Sequence, residues 1–235
     1  MLHGWTGSPA HFGLAARFVN ERGFTVVVPR LAGHGTSVRH MADTGWKDWM
    51  RSALESFYEL SGESERVHVV GLSMGGLIAL LLAATCNVAS VTTINAPQLL
   101  RDRRVWLSRL YRGSPRIRPA KRDEPPPGET GEYWVQYDDS PIGTIPDLLD
   151  LIGAARRALP RIRVPAVIIQ SKVDETVHPK SAAMIFDGLA SPQKRIVWLG
   201  RSRHVALLDT ERDRIHREIV SQAVPGAGPG PEAPQ

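Results

Sequence analysis

The chain has 235 residues, 42% hydrophobic and 23% charged, with a formal net charge of +5, enough for one domain with a sizeable core. Its single cysteine, Cys86, excludes an internal disulfide, and its longest apolar run, residues 77–86, is too short for a membrane span of about 20 residues. The basic residues concentrate in 101–122, with nine Lys/Arg against one Asp, but no nucleic-acid-binding motif accompanies them, so no nucleic-acid partner is expected.

The chain opens "MLHGWTGSP". His3-Gly4-Trp5-Thr6-Gly7 reads as a loop that follows a buried strand. A strand takes about five or six residues, yet only Met1 and Leu2 stand ahead of the loop. Neither a basic n-region nor an apolar h-region opens the chain, so a soluble, cytoplasmic protein is expected.

"SPAHFGLAARFVNERG" predicts a helix capped by Ser8, with Pro9 in its first turn and Gly23 as its stop. "FTVVVPRL" (24–31) predicts a strand buried on both faces. A helix follows over 44–60 behind a Thr44 cap, then a second buried strand over 66–72 and a helix that is apolar nearly all round. "SVTTINA" (90–96) predicts a third strand.

The alternation breaks over 97–143 and resumes with helices and strands from "TIPDLLDLIGAARRAL" to "TERDRIHREIVSQ". The tail 223–235, rich in Pro and Gly, is expected to be disordered. Strands alternating with helices predict a mostly parallel sheet covered on both faces. The core is then residues 1–96 and 144–222, with 97–143 as a lid over the carboxyl edge of the sheet, where ligands bind in such folds.

"VHVVGLSMGGLIAL" carries the strongest chemical signal. A buried strand runs into Gly71-Leu72-Ser73-Met74-Gly75 and then into a helix, the strand–turn–helix setting of a nucleophile elbow. Gly71 and Gly75 are small because the turn is tight, and Gly76 lets the helix approach the sheet. The alternative is a Gly-rich packing turn with an incidental serine.

A serine needs a base and a group that orients the base. Asp174 follows the strand over 164–171, and His204 lies in the loop after the strand over 195–200. Both therefore fall at carboxyl ends of strands, on the edge that carries Ser73. Glu175 is an alternative acid that would point elsewhere from the same turn. Among the other histidines, His178 reads as surface, His68 as core, His34 as turn-stabilising or site-lining and His3 as orienting its loop. His11, His40 and His216 show no partner pattern. No cluster is spaced for a metal, and no cofactor is expected.

"HGWTGSP", "GHG", "GLSMGG", "SKVDETVHP" and "SRHV", in this order, resemble the α/β-hydrolase fold, and within it the small bacterial carboxylesterases and monoacylglycerol lipases. The resemblance implies ester hydrolysis through an acyl-enzyme on Ser73, with His204 as base oriented by Asp174. It implies an oxyanion hole built from the backbone N–H groups of Trp5 and Met74. It also implies a central strand ahead of His3, and on that ground the chain is expected to start late or to be a fragment.

Leu99, Leu100, Trp106, Leu107, Leu110 and Trp134 are the apolar lid residues. Leu99, Trp106, Leu110 and Trp134 are expected to line an acyl pocket, or else to seat the lid on the core. The expected partner is a small-molecule ester or lipid, and the basic lid is expected to contact a lipid surface peripherally. Two alternatives keep the scaffold: another triad chemistry (thioesterase, peptidase, C–C hydrolase or acyltransferase), or an inactive or binding protein.

Overall fold

The computed structural model describes residues 1–119 and 129–224. Four parallel strands form its main sheet: β1 (His68–Leu72), β2 (Ser90–Ile94), β5 (Ala166–Ser171) and β6 (Lys194–Leu199), in the order β1-β2-β5-β6. A short antiparallel ribbon, β3 (Ile117–Pro119) with β4 (Asp139–Pro141), stands apart in the inserted segment. The helices are α1 (Gly13–Asn20), α2 (Val38–Ala42), α3 (Trp46–Glu63), α4 (Met74–Thr85), α5 (Ile145–Ala158), α6 (Lys180–Gly188) and α7 (Arg212–Ala223).

Side chains alternate across a strand, and here that alternation builds two cores. Val70 and Leu72 of β1 and Val167 and Ile169 of β5 face α1 and α7, where they meet Phe12, Ala15, Val19, Ile215 and Ile219. Val69 and Ile168 face the other way, toward Trp49 and Phe57 of α3, Leu149 and Ile152 of α5, and Ile185 of α6. Helix α4 is buried all the way from Met74 to Ala83, which explains why it has no polar face. Burying each such Val, Leu or Ile contributes roughly 1.5–3 kcal/mol.

The predicted elements recur with two adjustments to the first half. The first helix is split into a 3-10 turn (Pro9–Phe12), whose Ser8 hydroxyl accepts from Ala10 N, and α1. Helix α3 starts behind Gly45, not Thr44: the Asp48 carboxylate accepts from Gly45 N at 3.0 Å, while Thr44 Oγ1 accepts from Trp49 Nε1.

Residues 24–31 are the exception. They run without helix or strand structure and join no ladder. A strand exists only through hydrogen bonds to a neighbour, and the residue beside the outer edge of β1 is Leu2. Leu2 bridges Gly71 in parallel, with Leu2 N donating to Val70 O at 2.8 Å and Leu72 N donating to Leu2 O at 3.0 Å. Met1 N reaches Val27 O at 2.7 Å. Below this point residues 24–28 and β1 stand apart, and two adjoining clefts open to solvent lie between them, both lined by Val27, Leu60, Val67 and His68.

The inserted segment leaves β2 and begins with a stitch to the neighbouring loop. Leu100 bridges Val177, and Arg101 N donates to Thr176 O. A 3-10 helix (Arg103–Tyr111) then lies along α5, tied by Arg109 to Asp150 and by Arg112 to Asp147 and Asp150. The returning end is tied to the opening loops: Tyr137 N donates to Thr6 O, and the Tyr137 hydroxyl donates to Gly33 O at 2.6 Å. The tail beyond residue 224, expected to be disordered, lies outside the described residues.

Candidate active site

Strand β1 ends at Leu72 and α4 starts at Met74, so Ser73 is the whole of the turn between them. Its backbone sits at φ 55°, ψ −119°, a region that a residue with a Cβ adopts at a cost of order 1–3 kcal/mol. The glycines around it make that turn possible. A Cβ on Gly71 would stand 2.1 Å from Gly75 O, and one on Gly75 would stand 1.9 Å from Leu2 O. A Cβ on Gly76 would stand 2.7 Å from the Ala96 Cβ, so that glycine does set the approach of α4.

The three residues that the sequence places on one edge are in contact. Ser73 Oγ lies 2.9 Å from His204 Nε2, and His204 Nδ1 lies 2.8 Å from Asp174 Oδ2. The Asp174 carboxylate accepts at Nδ1, so the proton sits there and Nε2 is free to accept from the Ser73 hydroxyl. Asp174 is fully buried, and its other oxygen accepts from Thr176 N and Val177 N, each at 2.8 Å. That fixes the carboxylate plane. Glu175, the alternative acid, is exposed.

The loop of His3 to Gly7 passes beside this triad of side chains. A Cβ on Gly4 would lie 3.3 Å from the Ser73 Cβ. His3 is wholly buried, and its Nε2 accepts from Leu31 N at 3.2 Å while Nδ1 donates to Gly4 O at 3.0 Å. Burial, with His34 nearby, holds its pKa down at about 3, so it is a neutral brace for the loop. Among the described residues neither Trp5 N–H nor Met74 N–H has an acceptor. The Trp5 ring is anchored by Nε1 donating to Thr144 Oγ1 at 3.1 Å.

The other histidines take structural places. His34 is buried, packs edge-on to His3 and Trp49, and has a pKa lowered by burial to about 4. His68 meets Ser90 Oγ at 2.7 Å, and His40 meets Thr36 Oγ1. His216 packs on Phe18, and the Nδ1 of His178 accepts from Lys180 N. His11 is buried against the Trp134 ring.

The proposed pocket residues divide. Leu99 is half-buried, and its backbone bonds to His178 N and to Ser181 Oγ, beside the Asp174 loop. Trp134 is half-buried on His11. Trp106 and Leu110 do not enclose a pocket: they are 54% and 84% exposed. The 3-10 geometry, with three residues per turn, turns Val105 and the buried Ser108 inward and leaves the other two rows outside.

Several supporting residues carry no signature of their own in the sequence. Asn95, at φ 47° just past β2, donates through Nδ2 to His204 O at 2.7 Å and accepts through Oδ1 from Ser171 N at 2.8 Å. Ser171 Oγ donates to Ser202 O. The Glu211 carboxylate accepts from the N–H groups of Gly200, Arg201 and Ser202. Burial opposes its charge, but these backbone donors outweigh it and hold the carboxyl below its ordinary range. Asp209 accepts from Arg203 N at 2.8 Å. The Arg101 guanidinium donates to the main-chain carbonyl of Asp174. Among the described residues no group of His, Cys, Asp and Glu is placed to hold a metal ion, and no helix is long and apolar enough to cross a membrane.

A parallel sheet with helices on both faces, and a serine elbow joined to a histidine and a buried aspartate, define a hydrolase of the α/β type. The alpha/beta hydrolase family model matches residues 1–218, and the chain belongs to that family. It is 33% identical over 218 residues to a thermostable monoacylglycerol lipase of Bacillus sp. (strain H-257), a match that covers 92% of this chain and 85% of the lipase. It is 29% identical over 222 residues to a carboxylesterase of Bacillus subtilis (strain 168), covering 93% of this chain and 89% of the esterase.

Among solved structures, one from a study of the metagenome-derived lipolytic enzymes LipS and LipT superposes with a TM-score of 0.86 at 30% identity. That match covers 94% of this chain and 90% of the other. The monoacylglycerol lipase of Paleococcus ferrophilus shares the fold at a TM-score of 0.75 and 19% identity, over 94% of this chain and 91% of its own.

Proposed function

We propose that this hydrolase cleaves carboxylic esters of short or medium acyl chains, or monoacylglycerols, through an acyl-enzyme on Ser73. The observation that carries the reading is the continuous relay from Ser73 Oγ to His204 and on to the buried Asp174. The carboxylesterase and the monoacylglycerol lipase among its relatives support the substrate class.

The Ser73 oxygen attacks the ester carbonyl carbon as its proton passes to His204 Nε2. Charge moves to the carbonyl oxygen, which the backbone N–H groups of Trp5 and Met74 receive. Such preorganised donors cost no reorganisation when the charge forms, and one of them is typically worth about 10²–10³ in rate. The tetrahedral species collapses, the bond to the alcohol oxygen breaks, and His204 returns the proton to that oxygen. Water, deprotonated by His204, then attacks the acyl-serine; the acid leaves and Ser73 regains its proton. Asp174 keeps the proton on Nδ1 and stabilises the imidazolium in both halves. The proposed setting is the cytoplasm, in keeping with a chain that can form no internal disulfide.

The test combines labelling and turnover. A fluorophosphonate should label Ser73 stoichiometrically, and Ser73→Ala should remove both the label and the hydrolysis of a p-nitrophenyl ester series. Labelling without ester turnover, or turnover that survives in Ser73→Ala, overturns the proposal. Thioesters assayed beside esters and monoacylglycerols of equal chain length decide the substrate class.

A further inference from the structure

Residues 101–119 hold seven arginines and one acidic residue, Asp102. Their fates differ. Arg104 pairs with Asp102, Arg109 and Arg112 pair with the aspartates of α5, and Arg101 turns inward to the Asp174 carbonyl. Arg103, Arg116 and Arg118 are exposed and make no ion pair among the described residues. The Arg116 guanidinium stands 5.6 Å from the centre of the Tyr111 ring.

The same stretch is where large apolar side chains are left in water. Trp106 is 54% exposed, Leu107 63%, Leu110 84% and Tyr111 38%. They are four of the nine large hydrophobic residues exposed among the described ones, and they fall within six consecutive positions. Single exposed apolar residues need no explanation, but a contiguous group marks a contact surface. In a 3-10 helix, residues i and i+3 eclipse. Arg104, Leu107 and Leu110 therefore share one outward row, and Arg103, Trp106 and Arg109 share the next.

Cations interleaved with Trp and Leu match one kind of surface: anionic headgroups over an apolar interior. A polyanion without acyl chains would satisfy the arginines and leave Leu107 and Leu110 in water. The 3-10 helix is held rigidly by its pairs to α5, and its start is stitched to the loop that carries Asp174. A surface bound here lies on the same edge of the sheet as Ser73.

We propose that the outward face of residues 103–118 docks the enzyme on anionic lipid aggregates, with Trp106, Leu107 and Leu110 entering the acyl boundary and Arg103, Arg116 and Arg118 meeting phosphate groups. Its value to catalysis rests on the ester-hydrolase reading, because docking sets the site beside lipid esters; the docking itself does not.

The experiment uses Ser73→Ala protein, so that binding is measured without turnover. Co-sedimentation compares phosphatidylcholine vesicles with vesicles that also contain phosphatidylglycerol. Binding should be at least about tenfold tighter to the anionic vesicles at low salt and weaken as salt rises. Replacing Arg103, Arg116 and Arg118 together by Gln should lower it on the order of 100-fold, and Leu107→Ser with Leu110→Ser should abolish the blue shift of tryptophan fluorescence on binding. In the wild-type background the triple Gln variant should hydrolyse a water-soluble ester at the normal rate, which shows that it is folded.

Equal binding to both vesicle types, or binding untouched by either set of substitutions, overturns the proposal. If the triple variant is misfolded, the Leu pair and the salt dependence decide the matter. Vesicle binding without ester turnover in the wild type would sink the function and keep the surface; turnover without vesicle binding would do the reverse.

Discussion

Asn95 and His204 lie 109 positions apart and are joined by a 2.7 Å hydrogen bond from the Asn95 side chain to the His204 carbonyl. Through its other atom Asn95 accepts from Ser171 N, at the end of β5. One amide thus ties the His204 loop to the ends of two strands of the sheet.

Asn95→Ala should therefore lower kcat on the order of 10²-fold, with little change in KM for a small ester, because a misplaced base costs rate without costing binding. Stopped turnover assays on the purified variant check this. An unchanged kcat would show that the His204 loop holds its place without the amide.

Gly75→Ala should disrupt the loop opposite. The new methyl would meet Leu2 O and His3 O at 1.9 and 2.7 Å, and overpacking of this kind costs about 1–3 kcal/mol. Displacing the peptides before Gly4 also moves Trp5 N–H, the proposed oxyanion donor, so the rate should fall about 10²–10³-fold. Thermal midpoint and kcat, measured together, should both drop. Gly23→Ala is the control: its added Cβ meets nothing, although φ is +85°, so it should lose stability alone.

Stability should fall as pH drops below about 6.5. Burial holds His3 at a pKa of about 3 and His11, His34 and His216 at about 4, all below the ordinary 6.5. The folded state keeps these rings neutral, while the unfolded chain protonates them near 6.5. The contribution is thus fully present above that pH and is lost toward pH 4 for three of them and toward pH 3 for His3. Each proton taken up on unfolding tilts stability by about 1.4 kcal/mol per pH unit. Urea midpoints between pH 7 and pH 4.5 test the slope, and His216→Gln, in a helix outside the site, should reduce it by one proton.

Glu211→Gln should destabilise the loop that leads to His204. The carboxylate collects three backbone N–H groups through its two oxygens, at 3.1, 2.8 and 2.8 Å, and an amide keeps one acceptor oxygen while setting an NH2 group against the remaining N–H donors. A loss of about 1–2 kcal/mol is expected, read as a lower denaturant midpoint, together with faster hydrogen exchange at Arg201 and Ser202.

The positions of Ser73, Asp174 and His204 were legible because each sits where a buried strand ends, and a parallel sheet brings those ends to one edge. Helix α4 was legible from its unbroken apolar run. Residues 24–31 were not: their composition is that of a strand, but strand structure belongs to a pair of segments. Trp106 and Leu110 lie outside because residues 103–111 wind with three residues per turn, a geometry that their apolar spacing does not mark. Asn95 acts on a main-chain group 109 positions away, and Asp209 and Glu211 on N–H groups of the loop just before them, so no pattern of side chains marks them. The Arg101 guanidinium reaching the Asp174 carbonyl is of the same kind.

The Leu100–Val177 bridge and the Arg101 guanidinium on the Asp174 carbonyl make the inserted segment and the aspartate loop one mechanical unit. Exchanging that segment should therefore be felt at Asp174 as well as at the surface it presents.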